Sequence, residues 1–447
     1  MKFKRPLVAR SRNLELSPPL ILALSFLVLI VLGAGLLLLP FATHQSIGVS
    51  DALFTATSAV TVTGLTVVDT GADFTLFGQF VIAVLIQFGG LGLMTFAVVT
   101  LIAIGGKIGV FQQQVAATAF NQTKLSTVTS TAKSVVIFAF IVESLGMLLL
   151  LFRWYGEMPL GDALFHSFFY SISAFNNAGF ALSADSLMPF VGDPAINLII
   201  TTLFIVGGLG FVVWIDLYRQ RRWQKLNLYS RMMIMSTVVI NVVVMLLILA
   251  LEWNNPATLG GLAEQDRLWA AWFQATTPRT AGFNTLDVSG YNDATTILTI
   301  LLMFIGGGSL STSSGIKLMT FVVLILSTYA FIRQRKEIRL VNRSIPEHTV
   351  RKAFALTVMS VSLIWISFFL LAATQKVSFI DGIFEVVSAF GTVGLSRGIT
   401  ADLNVFGQLL LMFLMFFGRI GPLTLGYLLA RPKRNRVRAP STEIPIG

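Results

Sequence analysis

Four short stretches of the chain share one pattern. Each opens on an acid and closes on a small turn ending in glycine. The first runs from Asp51-Ala-Leu-Phe54 to Thr61-Val62-Thr63-Gly64-Leu65, the second from Asp162-Ala-Leu-Phe165 to Asn176-Asn177-Ala178-Gly179-Phe180. The third runs from Asp266-Arg-Leu-Trp269 to Arg279-Thr280-Ala281-Gly282-Phe283, the fourth from Asp381-Gly-Ile-Phe384 to Gly391-Thr392-Val393-Gly394-Leu395. The chemistry such turns offer is that of the backbone. Glycine admits angles that aim carbonyl oxygens inward, and rings of carbonyl oxygens replace the hydration shell of a bare cation. A lone turn of this kind reads equally well as a place for close helix packing; four in register favour an ion filter. Catalysis finds little to work with. There is no Cys, so no thiolate metal site. The three His residues, at 44, 166 and 348, are scattered and read as loop or interface residues. The ionisable groups at depth are Glu143, Lys317 and Arg419, which form no carboxylate pair and no nucleophile–base set. An integral-membrane enzyme is therefore disfavoured, and a carrier for an organic solute is the other alternative to an ion pathway.

The elements around the turns follow from composition. Of 447 residues, 55% are hydrophobic and 12% charged, half the charge of a soluble domain. Eight apolar stretches are long enough to cross a bilayer: 20–40, 76–104, 134–152, 195–217, 232–252, 295–332, 353–373 and 404–430. The four acid-started stretches, 51–60, 162–175, 266–277 and 381–390, are too short to cross and lie between pairs of spans. The fold class expected is an all-α polytopic membrane protein of eight transmembrane helices, arranged as four parallel copies of span, short helix, glycine turn and span about a pseudo-fourfold axis. Most Lys and Arg residues fall in five segments, Lys2–Arg12, Lys107–Lys133, Arg219–Arg231, Arg333–Lys352 and Arg431–Arg438, and most acids fall in the other loops. This puts both termini in the cytoplasm, makes the net charge of +11 a topology signal, and argues against nucleic acid as a partner. The domain boundaries expected are an N-terminal arm 1–19, repeats at 20–107, 131–222, 231–340 and 350–430, and a tail 431–447.

Each unit has a simple electrostatic logic. The acid suits the positive N-terminal end of the short helix and caps its free N–H groups. The C-terminal end then points toward the membrane centre, where its partial negative charge favours a cation. The irregular backbone beyond it is tolerated at depth only where protein or water lines it.

Every second span carries glycines of its own: Gly89-Gly90-Leu-Gly92, Gly207-Gly208-Leu-Gly210, Gly306-Gly307-Gly308 and Gly418-Arg419-Ile-Gly421. The first two read as close helix contacts. The third continues through Ser309, Ser311, Thr312, Ser313 and Ser314 to Gly315, with Lys317 after it, and reads as a broken helix lining the pore. It is not a phosphate loop, because that pattern places Lys directly after the second glycine. Arg419 is expected to face the ion path, the alternative being a pair with Glu143. Arg279 is expected to point away from a cation filter, toward the scaffold and an external acid.

At these residues the chain resembles the Ktr/Trk/HKT family of potassium transporters, and the Ktr-type membrane subunit above all, over about residues 15–430. The quartet Thr-Val-Thr-Gly64, Asn-Asn-Ala-Gly179, Arg-Thr-Ala-Gly282 and Gly-Thr-Val-Gly394 is similar to that subunit's filter, copy by copy. The resemblance implies potassium as the transported ion, since glycine at all four positions goes with potassium while serine at the first goes with sodium in some plant relatives. It implies that residues 306–315 act as a gate under the filter with Arg419 projecting toward the ion path. It also implies a bacterial inner or plasma membrane location, a homodimer, a separate cytosolic RCK-type ring that binds ATP or ADP, Na+ as an activator, and membrane lipids as surroundings.

Overall fold

Helices as apolar as these have no stable exposed state in water, and the backbone pairs within each one. The structure, a computed structural model, describes residues 18–92, 128–309, 311–335, 337–340 and 343–421. The far parts of the predicted spans at 93–104 and 422–430, nearly all of the N-terminal arm and the whole tail lie outside the described residues, as do Leu310, Lys336, Val341 and Asn342.

The chain is mostly helical. The first copy holds α1 (Pro18–Leu37), the short α2 (Val49–Thr61) and α3 (Leu76–Leu91). The second holds α4 (Val128–Trp154), the short α5 (Leu160–Phe175), α6 (Pro194–Leu209) and α7 (Phe211–Gln220). The third holds α8 (Leu228–Glu252), the short α9 (Glu264–Thr276), α10 (Asp293–Phe304) and α11 (Leu318–Ile332). The fourth holds α12 (Glu347–Thr374), the short α13 (Phe379–Gly391) and α14 (Val405–Ile420). A two-residue hairpin, β1 (Arg339–Leu340) with β2 (Arg343–Ser344), is an addition that an all-helical expectation lacks.

The opening helices of the four copies, α1, α4, α8 and α12, are long and apolar enough to cross a membrane. They expose apolar faces, for example Leu32, Ile141, Leu246 and Phe369. The second members of the second and third copies are broken, the third as its composition implies and the second against the plain span expected. Helix α6 ends at Gly210 and α7 leaves at an angle of 91°. Helices α10 and α11 are separated by the 305–317 segment. Glycine conformation ends α3, α6 and α14, where Gly92, Gly210 and Gly421 have φ of 79°, 98° and 90°, a region closed to a continuing helix; α10 ends at Ile305 in extended backbone. The contact role expected of the first two runs is also present, and the fourth shares it. A Cβ on Gly89, Gly207 or Gly418 would strike the carbonyl oxygen of Val60, Phe175 or Phe390, each at the C-terminal end of a short helix.

Packing between copies is cyclic. Helix α3 lies on α5, α6 on α9, α10 on α13 and α14 on α2. Each second member therefore supports the short helix of the next copy, and the fourth returns to the first. Within this ring the core is aromatic: Phe54, Phe169, Phe273 and Phe384, one from each short helix, are fully buried.

Candidate ion filter and gate

The short helices match their expected positions within a few residues. Their acids act differently from simple caps. Asp51 sits at the third helical position and accepts from the Gly48 amide at 3.0 Å, the return arm of a capping box. Asp381 holds the same place: Ser378 caps α13 by accepting from the Asp381 amide at 3.1 Å and donates its hydroxyl to the Asp381 carboxylate at 2.6 Å. That bond, and after it the Arg397 guanidinium at 2.6 Å, hold the Asp381 carboxyl below the usual carboxylate range.

The four helices end in turns of one design. Two residues before each closing glycine the backbone is left-handed, at Val62, Asn177, Thr280 and Thr392, with φ of 53°, 58°, 76° and 48°. The glycines themselves, 64, 179, 282 and 394, have φ of 90°, 69°, 80° and 93°. The next residue, Leu65, Phe180, Phe283 or Leu395, is buried and anchors the turn. The turn amides bond back to their own helix. Val62 and Thr63 donate to the Ala59 and Ser58 carbonyls at 3.1 and 2.8 Å, Asn177 and Ala178 to Ala174 and Ser173 at 3.0 and 2.8 Å, and Thr392 and Val393 to Ala389 and Ser388 at 3.2 and 2.9 Å. A hydroxyl in each helix, or at its C-cap in the third copy, completes the tie. Ser58 and Ser388 each accept from the amide of their glycine at 3.1 Å, while Ser173 and Thr277 donate to the Phe180 and Phe283 carbonyls at 2.8 and 2.5 Å. These four hydroxyls are a recurrent feature the sequence displays at each copy and our reading of it did not use.

Among the described residues, the carbonyl oxygens of Val62, Thr63, Asn177, Ala178, Thr280, Ala281, Thr392 and Val393 accept no hydrogen bond. Buried carbonyls are almost always paired, so eight free ones within one ring of turns need a ligand or water. The turns also touch in a closed order. A Cβ on Gly64 would run into the Ala178 oxygen, and one on Gly179 would lie 2.8 Å from the Gly282 Cα and 3.0 Å from the Ala281 oxygen. One on Gly282 would run into the Val393 oxygen, and one on Gly394 into the Thr63 oxygen. A cavity of about 650 Å³ opens beside the ring, lined by all four glycines and by the segments that follow them, with Asp69, Asp185, Asp287 and Arg397 on its wall.

The first residues of the turns are less alike. The Thr61 hydroxyl donates back to Thr57 O at 2.7 Å, and Gly391 has no side chain. Asn176 Nδ2 reaches Glu143 Oε1 at 3.1 Å and Gln87 Oε1 at 2.7 Å. Arg279 turns away from the ring, as expected, but its partner is the Asn241 amide oxygen at 3.3 Å and not an acid. Asn241 lies on α8, whose polar groups hydropathy does not single out.

The 306–315 segment lies at the other end of the turns from the cavity. It is irregular, with Gly315 at φ 65°. It is held by other copies as well as by its own. Gly308 N donates to Gly208 O at 2.8 Å and Thr312 N to Gly207 O at 3.3 Å, which occupies carbonyls freed by the break at Gly210. The Thr312 hydroxyl is 3.2 Å from Phe175 O and 2.6 Å from the Asn177 side-chain amide. Ser309 N donates to the Tyr229 hydroxyl at 2.8 Å, Ser311 Oγ to Gly308 O at 2.7 Å, and Lys317 Nζ to Ser313 O at 2.7 Å. Gly306 N pairs with Ile316 O at 2.8 Å, and a Cβ on Gly307 would meet the Ser313 side chain at 2.7 Å.

Arg419 is not paired with Glu143. Its guanidinium donates to Thr312 O, to Ser314 Oγ at 3.2 Å, and to Gly89 O and Gly90 O at 2.5 and 2.9 Å. One side chain of the fourth copy thus touches the third copy and the first. Those two are the neighbours of the fourth copy in the cyclic order, so the guanidinium bridges them.

Residues 17–435 match the TrkH family, described as a cation transport protein. The chain is 46% identical over 431 residues to the Ktr system potassium uptake protein B of Bacillus subtilis, spanning 96% of this chain and 97% of that one. It is 42% identical to the Vibrio alginolyticus protein of the same name, over 96% and 95%. It is 35% identical to the potassium/sodium uptake protein NtpJ of Enterococcus hirae, over 97% and 98%. In fold it is similar to the crystal structure of the potassium transporter TrkH from Vibrio parahaemolyticus, with a TM-score of 0.73, 22% identity, and 96% and 87% of the two chains covered.

Proposed function

The chain belongs to the TrkH family of cation transport proteins, within its Ktr branch, and from that premise we propose that it carries potassium across the membrane through the ring of glycine turns. This is a family of multi-pass membrane transporters and not of enzymes. The observation that carries the proposal is the closed ring of four turns whose amides are tied back to their helices while their carbonyls are unclaimed. Carbonyl oxygens held on a rigid frame suit a cation that sheds its water, and the C-terminal ends of four short helices add partial negative charge behind them.

The finer arrangement belongs to the same proposal. Eight spans in four parallel copies surround a pseudo-fourfold axis, both termini are cytoplasmic, and the 650 Å³ cavity is the outer vestibule. Residues 306–315 and Arg419 form the gate on the inner side, obstructing the path in one conformation and clearing it in another. The protein works as a homodimer with a cytosolic nucleotide-binding RCK-type ring, and Na+ serves as an activator. The relative named for both potassium and sodium supports that last point.

The test is flux in liposomes. Potassium or rubidium uptake that exceeds sodium uptake, with no uptake of organic solutes, is the expected outcome; uptake of an organic solute in place of the cation contradicts the proposal. Orientation has its own check, because the parent has no Cys. A Cys at position 225 is expected to resist an impermeant reagent applied to intact cells.

A further inference from the structure

Glu143 sits near the middle of α4 and is 5% exposed. Its carboxylate receives Gln87 Nε2 at 2.9 Å and Asn176 Nδ2 at 3.1 Å, and the same Asn176 nitrogen reaches Gln87 Oε1 at 2.7 Å. The three side chains form a closed triangle that joins the first copy, through α3, to the second. Among the described residues no Lys or Arg pairs with Glu143. The Glu143 backbone is held as well, because Ser171 Oγ donates to its carbonyl at 2.6 Å.

A buried carboxyl without a cation is costly, and nothing in the packing demands one. Glu143 lines a cavity of about 320 Å³ whose wall is otherwise almost wholly apolar, with Phe80, Val84, Phe140, Met147 and Phe168. A leucine would fit this place. What the acid supplies is two acceptor oxygens, one for each amide of the triangle. The residue that benefits is Asn176, which ends α5 and begins the second turn, immediately before the left-handed Asn177. Fixing its side chain fixes the direction from which the turn departs. The first and fourth turns have no such tie to another helix, since the Thr61 hydroxyl bonds to its own helix and to Thr63 of its own turn, and position 391 is glycine.

We propose that Glu143 is a positioning residue for the second glycine turn, acting through Asn176, and thereby sets how sharply the ring separates potassium from sodium. It works as a hydrogen-bond acceptor and does not touch the ion. The inference rests on the filter reading and adds to it a residue on a lipid-side helix.

The experiment compares purified Glu143→Leu, Glu143→Gln and the exchange variant Gln87→Glu/Glu143→Gln in liposomes, with Gly179→Ser alongside. The readout is rubidium uptake under competition by potassium and by sodium, with melting temperature recorded for each protein. Glu143→Leu is expected to lower potassium-over-sodium discrimination about tenfold, the factor that one lost hydrogen bond of ordinary strength represents. Glu143→Gln, which keeps the volume but offers one acceptor in place of two, loses less. The exchange variant restores discrimination, because a carboxylate at position 87 still accepts from Asn176 and from the amide at position 143. A purely structural tie would lower the melting temperature and leave the ratio unmoved. Parental discrimination in folded Glu143→Leu and Glu143→Gln, with discrimination lost in Gly179→Ser, overturns the role of Glu143 alone. Loss that the exchange fails to restore also overturns it. Parental discrimination in Gly179→Ser itself overturns the filter reading. Should Glu143→Leu not fold, Glu143→Gln and the exchange variant decide by the same criteria.

Discussion

Each glycine turn is held first by its own short helix, whereas the 306–315 segment takes much of its support from other copies. All four turns use backbone bonds, a repeated hydroxyl and a buried apolar anchor within about ten residues of the glycine, and the second and third each add a side-chain tie from another helix, at Asn176 and Arg279. The segment uses carbonyls of the second copy and the Arg419 guanidinium of the fourth, beside the Tyr229 hydroxyl of its own copy. A locally held element keeps its shape when its neighbours shift, and one held from several sides follows them. Selection of an ion calls for the first property, and opening and closing calls for the second.

Variants can break this contrast at graded strength. The largest effect is expected at a turn anchor. Phe283→Ala removes a fully buried ring next to Gly282 and is expected to cost about 3–5 kcal/mol of stability, measured as a fall in melting temperature of the detergent-solubilised protein together with weaker potassium preference. Arg419→Ala comes next. Breaking even one of its charge-assisted bonds shifts a two-state balance by about 1.5–3 kcal/mol, so potassium flux in liposomes is expected to rise at least about tenfold, and to depend less on the proposed cytosolic ring, while selectivity holds. Selectivity that falls as steeply as in a turn variant would erase the distinction between the two regions.

A smaller effect belongs to Thr312→Val, which keeps the shape but loses the hydroxyl beside Asn177 and Phe175 O. At about 1 kcal/mol for a neutral hydrogen bond, flux is expected to change a few-fold in the same assay. The smallest effect concerns pH. The Asp381 carboxyl is held below its ordinary range in the folded protein, by Ser378 and then Arg397. Its contribution is therefore complete above about pH 4, the unfolded value, and is lost as pH falls through the lowered folded value. The pair is partly exposed, so the loss is at most about 1 kcal/mol. Thermal melts of the parent and of Asp381→Asn at falling pH are expected to converge.

The sequence displays the ring better than the segment for the same reason. Repetition marks the short helices, and the stretch read as 381–390 folds as Phe379–Gly391. Local chemistry marks the turns, because glycine is the residue that takes positive φ without strain. What composition leaves hidden is pairing at a distance. Arg419 stands out as a charge inside a span, yet its acceptors are the backbone carbonyls of Gly89, Gly90 and Thr312, which no residue type announces. The partner of Arg279 is an amide 38 positions earlier in the chain. The glycine run at 207–210 reads as a packing contact and is one, but the break at Gly210 depends on a single dihedral that hydropathy does not record.

The central claim is that potassium is chosen by the backbone of the four turns. It is tested most directly by rubidium uptake into liposomes, with potassium and sodium as competitors, for the parent and for Gly64→Ser, Gly179→Ser, Gly282→Ser and Gly394→Ser. Each serine must take a positive φ and would drive its Cβ toward the backbone of the next copy. The account predicts potassium excluding rubidium far better than sodium does in the parent, and that advantage reduced in every variant that folds. Four folded variants with the parent's ratio of potassium to sodium inhibition would contradict it.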